Sequence, residues 1–150
     1  MLKMNTNCLK YFLLCLCMTL SSCKLHTSGN GDLDGFWQGT TMEDLLTGEL
    51  SDMRENGITW SFQGDLLYLR DAEGHIILCR FELVDNVLRL YDPHYSLRHK
   101  EEEADVPVED VADLIPYGIS ELEEYFKVLE LDGNTMRLES MDVRLTFRKY

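Results

Sequence analysis

The chain has 150 residues, 27 of them acidic against 14 basic, for a net charge of −13 near neutral pH. That length supports one domain with its own core. The acidic balance excludes nucleic acid and anionic lipid headgroups as the main partner, because both select basic surface.

The first element is a leader. Lys3 and Lys10 give it a basic start, and Tyr11 to Leu20 form an apolar run. Ten residues are too few to cross about 30 Å of hydrocarbon as a helix, but they suit a cleaved secretory signal over residues 1–22. Leu20-Ser21-Ser22-Cys23 resembles the lipobox of bacterial lipoproteins. The resemblance implies that the Cys23 thiol takes a diacylglyceryl group and that cleavage before it frees an amine for further acylation. An ordinary signal with an incidental cysteine, or an uncleaved anchor, is the alternative. Two or three acyl chains hold a protein stably, at about 0.8 kcal/mol per buried CH₂. In that family an Asp after the cysteine marks inner-membrane retention, so Lys24 favours the outer membrane. The expected location is therefore the cell envelope, with the membrane as a partner through Cys23.

Cleavage removes Cys8, Cys15 and Cys17 and lipidation uses Cys23, which leaves Cys79 alone in the domain, with no disulfide partner. Set in an alternating run, Cys79 reads as a small buried hydrophobe rather than a nucleophile. Without Lys3 and Lys10, 12 basic residues face 27 acidic ones, a net charge of −15. Residues 23–31 form a polar tether, and 32–150 the domain.

From Gly35 onward, short alternating runs separated by turn residues predict an antiparallel all-β domain. Eight are drawn: Gly35–Met42, Gly57–Gln63, Leu66–Asp71, His75–Leu83, Val87–Tyr91, Phe126–Leu131, Thr135–Ser140 and Val143–Lys149. Ile58, Trp60 and Phe62 alternate with Thr59 and Ser61; Ile77, Cys79, Phe81 and Leu83 with Arg80 and Glu82; Val143, Leu145 and Phe147 with Arg144, Thr146 and Arg148. One face meets a core and the other meets water.

Three connections are tight: Gln63-Gly64-Asp65, Asp85-Asn86 and Asp132-Gly133-Asn134, all residues that tolerate positive φ. Two are long, Glu43–Asn56 and Asp92–Tyr125. The second is expected to hold two short helices. One opens near Asp105 and Pro107, buries Val108, Val111, Ala112 and Ile115, and closes at Pro116. The other opens on Ser120-Glu121-Leu122-Glu123 as a capping box and turns Leu122, Tyr125 and Phe126 inward. If the strands run up and down in order, the tight turns share one end and the long segments the other. The reading is an eight-stranded antiparallel up-and-down barrel with a tight end and a lidded end. A two-sheet sandwich would not sort loop length so cleanly.

Gly35-Phe36-Trp37 resembles the Gly-x-Trp start of lipocalins. The whole mature chain looks like the small lipocalin-like lipoproteins of Bacteroides-type bacteria, through its lipobox, its Gly-Phe-Trp strand and its final Phe-Arg-Lys-Tyr. The resemblance implies that Gly35 and Trp37 build the closed end, with Arg148, or alternatively Arg144, packed across Trp37. It departs from lipocalins in placing its helices between the fifth and sixth strands rather than after the eighth. What it implies is a binder of small apolar or amphipathic molecules, not an enzyme.

The expected inward set is Trp37, Trp60, Phe62, Leu67, Leu69, Ile77, Phe81, Leu88, Leu90, Met136, Leu138, Leu145 and Phe147. Such residues either fill an eight-stranded barrel or line its pocket. For a pocket, Trp60, Phe62, Phe81 and Leu90 are the candidate ligand contacts inside, with Tyr117 and Tyr125 at the lid. For a filled barrel, the acidic loops become the surface for a protein partner. The two long segments carry 16 acids and 3 bases between them, so a functional mouth attracts cationic or neutral ligands, Ca²⁺ or a basic partner, and repels fatty-acid anions. His94 and His99 lack a second pair to complete a zinc set, and Glu101-Glu102-Glu103 and Glu109-Asp110-Asp113 lack the spacing of an EF-hand. No nucleophile elbow, phosphate-binding Gly loop or serine–histidine–acid arrangement is present. No catalytic residue, metal site or cofactor is therefore assigned.

Overall fold

The computed structural model describes residues 29–96 and 105–150. The leader, Cys23, most of the tether, and Arg98, His99, Lys100 and Glu101–Glu103 lie outside the described residues. Ten strands are present among those described: β1 (Gly35–Asp44), β2 (Leu50–Asp52), β3 (Thr59–Gln63), β4 (Leu66–Arg70), β5 (Ile76–Val84), β6 (Val87–Tyr95), β7 (Val106–Pro107), β8 (Glu124–Leu131), β9 (Thr135–Glu139) and β10 (Val143–Lys149). All pairings are antiparallel. Eight strands follow one another in chain order, and β10 returns to pair with β1 from Trp37↔Lys149 to Asp44↔Val143, which closes the barrel. The short β2 and β7 extend its rim, on β1 and β6 respectively.

The alternation explains the burial. All thirteen residues expected inward are buried, because the side-chain period of a strand is two and one face of each strand lines the interior. Leu83 departs from its own stripe and is partly exposed at the end of β5. The tight turns supply what their conformations demand. Asp85 and Asn86 both have positive φ, 49° and 62°, the two-residue geometry whose twist matches a hairpin. The Asp132 carboxylate accepts the Asn134 and Thr135 N–H groups at 2.7 and 2.8 Å, an Asx turn.

Two strands outrun their expected ends by means of bulges. β1 shifts register between Gly39 and Thr41. There Thr40 donates its hydroxyl to the Thr146 carbonyl at 2.9 Å, and its own carbonyl accepts the Met53 N–H at 3.2 Å. The bulge lets β1 leave β3 after Gln38 and take up β2. In β6 the register slips opposite Leu78–Arg80, where Asp92 has φ 55°. Asp92-Pro93 reads as a strand end from sequence, but at a bulge the missing Pro N–H is tolerated, and β6 continues to Tyr95.

The two expected helices do not form. Residues 105–120 contain instead the two-residue β7 and two single 3-10 turns, Val111–Asp113 and Ile115–Tyr117. A run of eight residues held between Pro107 and Pro116 cannot repay the nucleation of an α-helix. Asp110 caps only one turn, through the Ala112 N–H at 2.9 Å, and Gly118, with φ 82°, ends the next. The buried face shifts accordingly: Val108, Leu114 and Tyr117 are buried, whereas Ile115 is exposed. In the second segment Ser120 bonds Glu124 rather than Glu123, and the chain passes directly into β8. Strand alternation then turns Glu124 and Phe126 in, and leaves Leu122 and Tyr125 exposed.

Candidate functional site: a sealed end, an aromatic interior and an acidic mouth

At the tight-turn end, a 3-10 turn over Gly31–Leu33 lays Leu33 across the barrel, fully buried. The Trp37 indole N–H donates to the Leu33 carbonyl at 2.8 Å. Lys149 Nζ lies 4.9 Å from the Trp37 ring centre and donates to the Asp32 carbonyl at 2.8 Å. The cation over the tryptophan is thus Lys149, not Arg148. Lys149 shares the inward parity of Leu145 and Phe147, while Arg148 points out and donates to Gln38 Oε1 at 3.1 Å. Arg144 stands on the outer face of the same strand, paired with Glu43 and Glu139 at 2.8 and 2.7 Å. Gly35 has φ 110° and faces the Lys149 side chain, where a Cβ would lie 3.2 Å from Cε.

Inside, the aromatic rings meet one another. Trp60 lies 4.8 Å from Phe147, 5.9 Å from Phe126 and 6.2 Å from Phe62, centre to centre, and Phe62 lies 4.9 Å edge-on from Phe81. Leu90 is buried on β6. Phe126, expected to face inward from a helix, does so instead from the inner face of β8 and joins this cluster. The Trp60 indole N–H is buried and has no hydrogen-bond partner among the described residues. A buried donor without an acceptor costs about 1–3 kcal/mol.

At the other end, the four remaining connections touch. Leu45 N–H donates to the Asp142 carbonyl at 2.8 Å, and Ala72 N–H to the Asn56 carbonyl at 2.9 Å. The Tyr117 hydroxyl reaches Asp71 Oδ2 at 3.4 Å, and Ser120 Oγ bridges Asp142 and Glu124 at 2.9 Å each. Burial, the nearby Asp71 charge and this bond keep the Tyr117 hydroxyl protonated well above the usual tyrosine range. Between lid and wall lies a groove of about 240 Å³. Met42, Asp44, Glu49 and Ser51 line it from β1, β2 and their loop, Val143 from β10, and Ile115, Gly118, Ile119 and Ser120 from the lid. The lining joins the apolar side chains of Met42, Ile115, Ile119 and Val143 to the exposed carboxylates of Asp44 and Glu49, and contains no lysine or arginine. The Thr47 N–H and hydroxyl, with the Leu46 N–H, hold Asp44 below its usual carboxylate range.

The sequence candidates are thus divided among three places. Tyr117 is buried at the lid, Tyr125 is exposed on the outer wall beside Glu123, and Trp60, Phe62, Phe81 and Leu90 sit in the packed interior rather than in the groove. The lid residues Ile119 and Gly118, and the β1–β2 loop acids, come to the groove through contacts too distant in sequence for periodicity to register. Cys79 is buried in the wall; burial, then the Asp92 charge, push its thiol up to about 12, so it stays protonated at neutral pH and is a poor nucleophile. His94 Nδ1 lies 2.9 Å from the Asp92 carbonyl. Among the described residues, no group of three or more His, Cys, Asp and Glu is placed to hold a metal ion.

A family model described as a lipocalin-like domain matches residues 17–150. Among solved structures, the chain is similar to a lipocalin-like protein from Bacteroides uniformis, with 20% identity, a TM-score of 0.58, and coverage of 80% of this chain and 100% of that one. It is also similar to an uncharacterized protein from Bacteroides eggerthii, with 23% identity, a TM-score of 0.53, and coverage of 79% and 99%. At these identities the likeness is one of fold. No curated protein sequence matches significantly.

Proposed function

The chain belongs to the family of lipocalin-like domains, a fold of binding rather than catalysis, and on that premise we propose that it is a lipid-anchored, non-catalytic binding protein of the cell envelope. Its ligand is a small apolar or amphipathic molecule, neutral or cationic, seated in the mouth groove. The observation that carries this reading is the composition of the groove: Met42, Ile115, Ile119 and Val143 offer apolar contact, and Asp44 and Glu49 supply the only charges in the lining. An apolar recess with a few placed polar groups is the usual form of a small-ligand site. Anchorage at Cys23 leads the chain into the barrel at the sealed end, beside Gly31–Leu33, so the mouth faces away from the bilayer.

Titration of the purified protein with decylammonium, decanol and decanoate tests the site. Decylammonium or decanol is expected to bind, and decanoate at least about tenfold more weakly, since two nearby carboxylates repel it. Preferential binding of decanoate overturns the reading. Anchorage is read separately: Cys23→Ser is expected to move the protein from the membrane fraction to the soluble one.

A second reading, a protein-interaction module, draws on the ring contacts around Trp60 and on the apolar tips of the mouth. Leu46 is 94% and Met141 92% exposed, on neighbouring loops bordered by acids. In that case the amphiphiles do not bind, and basic protein partners do.

A further inference from the structure

The outer wall carries a recess separate from the mouth. It is a groove of about 250 Å³ across β1, β3, β4 and the start of β5. Register builds it. Phe36 faces Ser61 across β1 and β3, and Ser61 faces Tyr68 across β3 and β4. Two aromatic rings therefore flank Ser61, with the Thr59 and Ser61 hydroxyls along the strand between them. Neighbouring strands lie about 4.8 Å apart, which separates the two aromatic Cα rows by about 10 Å. Side chains stand roughly perpendicular to a sheet, so the gap admits one ring. Phe36 is 63% exposed.

Arg70 lies two residues along β4 from Tyr68, about 7 Å away, between Thr59 and Ile76 in the lateral register. Arg54, Arg80, Arg89, Arg137 and Arg144 each hold at least one carboxylate. Arg70 makes no ion pair among the described residues. Arg148 likewise has no carboxylate partner among the described residues, but it donates to Gln38, whereas Arg70 is left to a groove whose other lining residues, Phe36, Thr59, Ser61, Gln63, Tyr68 and Ile76, carry no charge. A planar guanidinium matches a carboxylate through two parallel hydrogen bonds.

We propose that this groove is a second ligand site, for a ring compound bearing a carboxylate. The ring lies between Phe36 and Tyr68 over the Ser61 and Thr59 hydroxyls, and the carboxylate meets Arg70. An acidic sugar and an aromatic acid both present this chemistry, a ring with an apolar face and an anion one ring-length away. The preference is opposite in charge to that of the mouth.

The test is calorimetric or NMR titration of the whole protein with glucuronate and with 2-naphthoate, against glucose and 2-naphthol as neutral counterparts. At least one acid is expected to bind, its neutral counterpart at least about tenfold more weakly. Binding of glucuronate alone identifies the acidic sugar, and of 2-naphthoate alone the aromatic acid. Arg70→Gln and Phe36→Ala alter outward-facing positions, and unfolding midpoints close to the parent's confirm that both variants fold. Each is expected to weaken the acid about tenfold or more. Failure of both acids to bind at millimolar concentration overturns the proposal, as does undiminished binding by either variant.

Discussion

Two tryptophans, both fully buried, do different work. Trp37 donates to the Leu33 carbonyl and carries Lys149 on its face, whereas the Trp60 N–H has no acceptor among the described residues. Replacing either by Phe removes similar ring volume. In Trp37→Phe the Leu33 carbonyl also loses its donor inside the sealed end. In Trp60→Phe an unsatisfied N–H disappears, which offsets the lost packing. Trp37→Phe is therefore expected to destabilise by about 1–3 kcal/mol more than Trp60→Phe, read as the difference in urea unfolding free energy. The same scale shows how finely parity must be read. The cation that covers Trp37 is one position from the arginine that the lipocalin resemblance indicates, and a shift of one residue along a strand moves a side chain from the core to the solvent. Lys149 is legible from its alternation with Leu145 and Phe147.

At the scale of elements, the lid and the wall meet at one backbone position. Gly118 has φ 82°, and a Cβ there would stand 2.5 Å from Leu145 Cδ2 on β10. Gly118→Ala combines a left-handed conformation with a clash against a fully buried side chain. It is expected to lower unfolding free energy by about 2–4 kcal/mol, and Gly133→Ala, whose Cβ meets nothing within 4 Å, by far less. The eight barrel strands and the sorting of loops to two ends were legible because both follow from period-two alternation and turn chemistry, which are local. The lid was not. Val111 and Ile115 fit a helical stripe, yet the segment between two prolines is too short to sustain one. Met53, Leu114 and Ile119 enter the core only because distant loops meet over the mouth. The strands β2 and β7, three and two residues long, fall below the length at which alternation carries a signal. The groove acids were visible as charge, but their placement beside Met42 and Val143 depended on the β1 bulge.

For the whole molecule, charge governs the response to pH and salt. Asp44, Asp52, Asp71, Glu123 and Asp132 all sit below their ordinary carboxylate values. For Asp71, burial works the other way, but the His75 hydrogen bonds prevail. Asp52 is lowered to about 2, by Arg54. A carboxylate whose folded pKa is depressed contributes stability above its unfolded value and loses it as pH falls through the folded one. Stability is therefore expected to be nearly level from pH 7 to about 5 and to decline from about 4.5 toward 2. The net charge of −13 opposes compaction throughout the upper range. Raising NaCl from about 0.01 to 0.5 M shortens the Debye length from about 30 Å to a few Å, and the urea midpoint at pH 7 is expected to rise. A fall in that midpoint sinks the repulsion argument. The seam between β1 and β10 has a consequence of another kind. It joins Thr40 to Thr146, 106 residues along the chain, and it brings the Tyr150 N–H to the Phe36 carbonyl at 3.0 Å. Until β10 is available, β1 and β9 each present an unpaired edge, and no closed shell exists. Loop closure of this span makes folding slow relative to local events. A copy truncated before β10 is left with two adhesive edges and a tendency to aggregate.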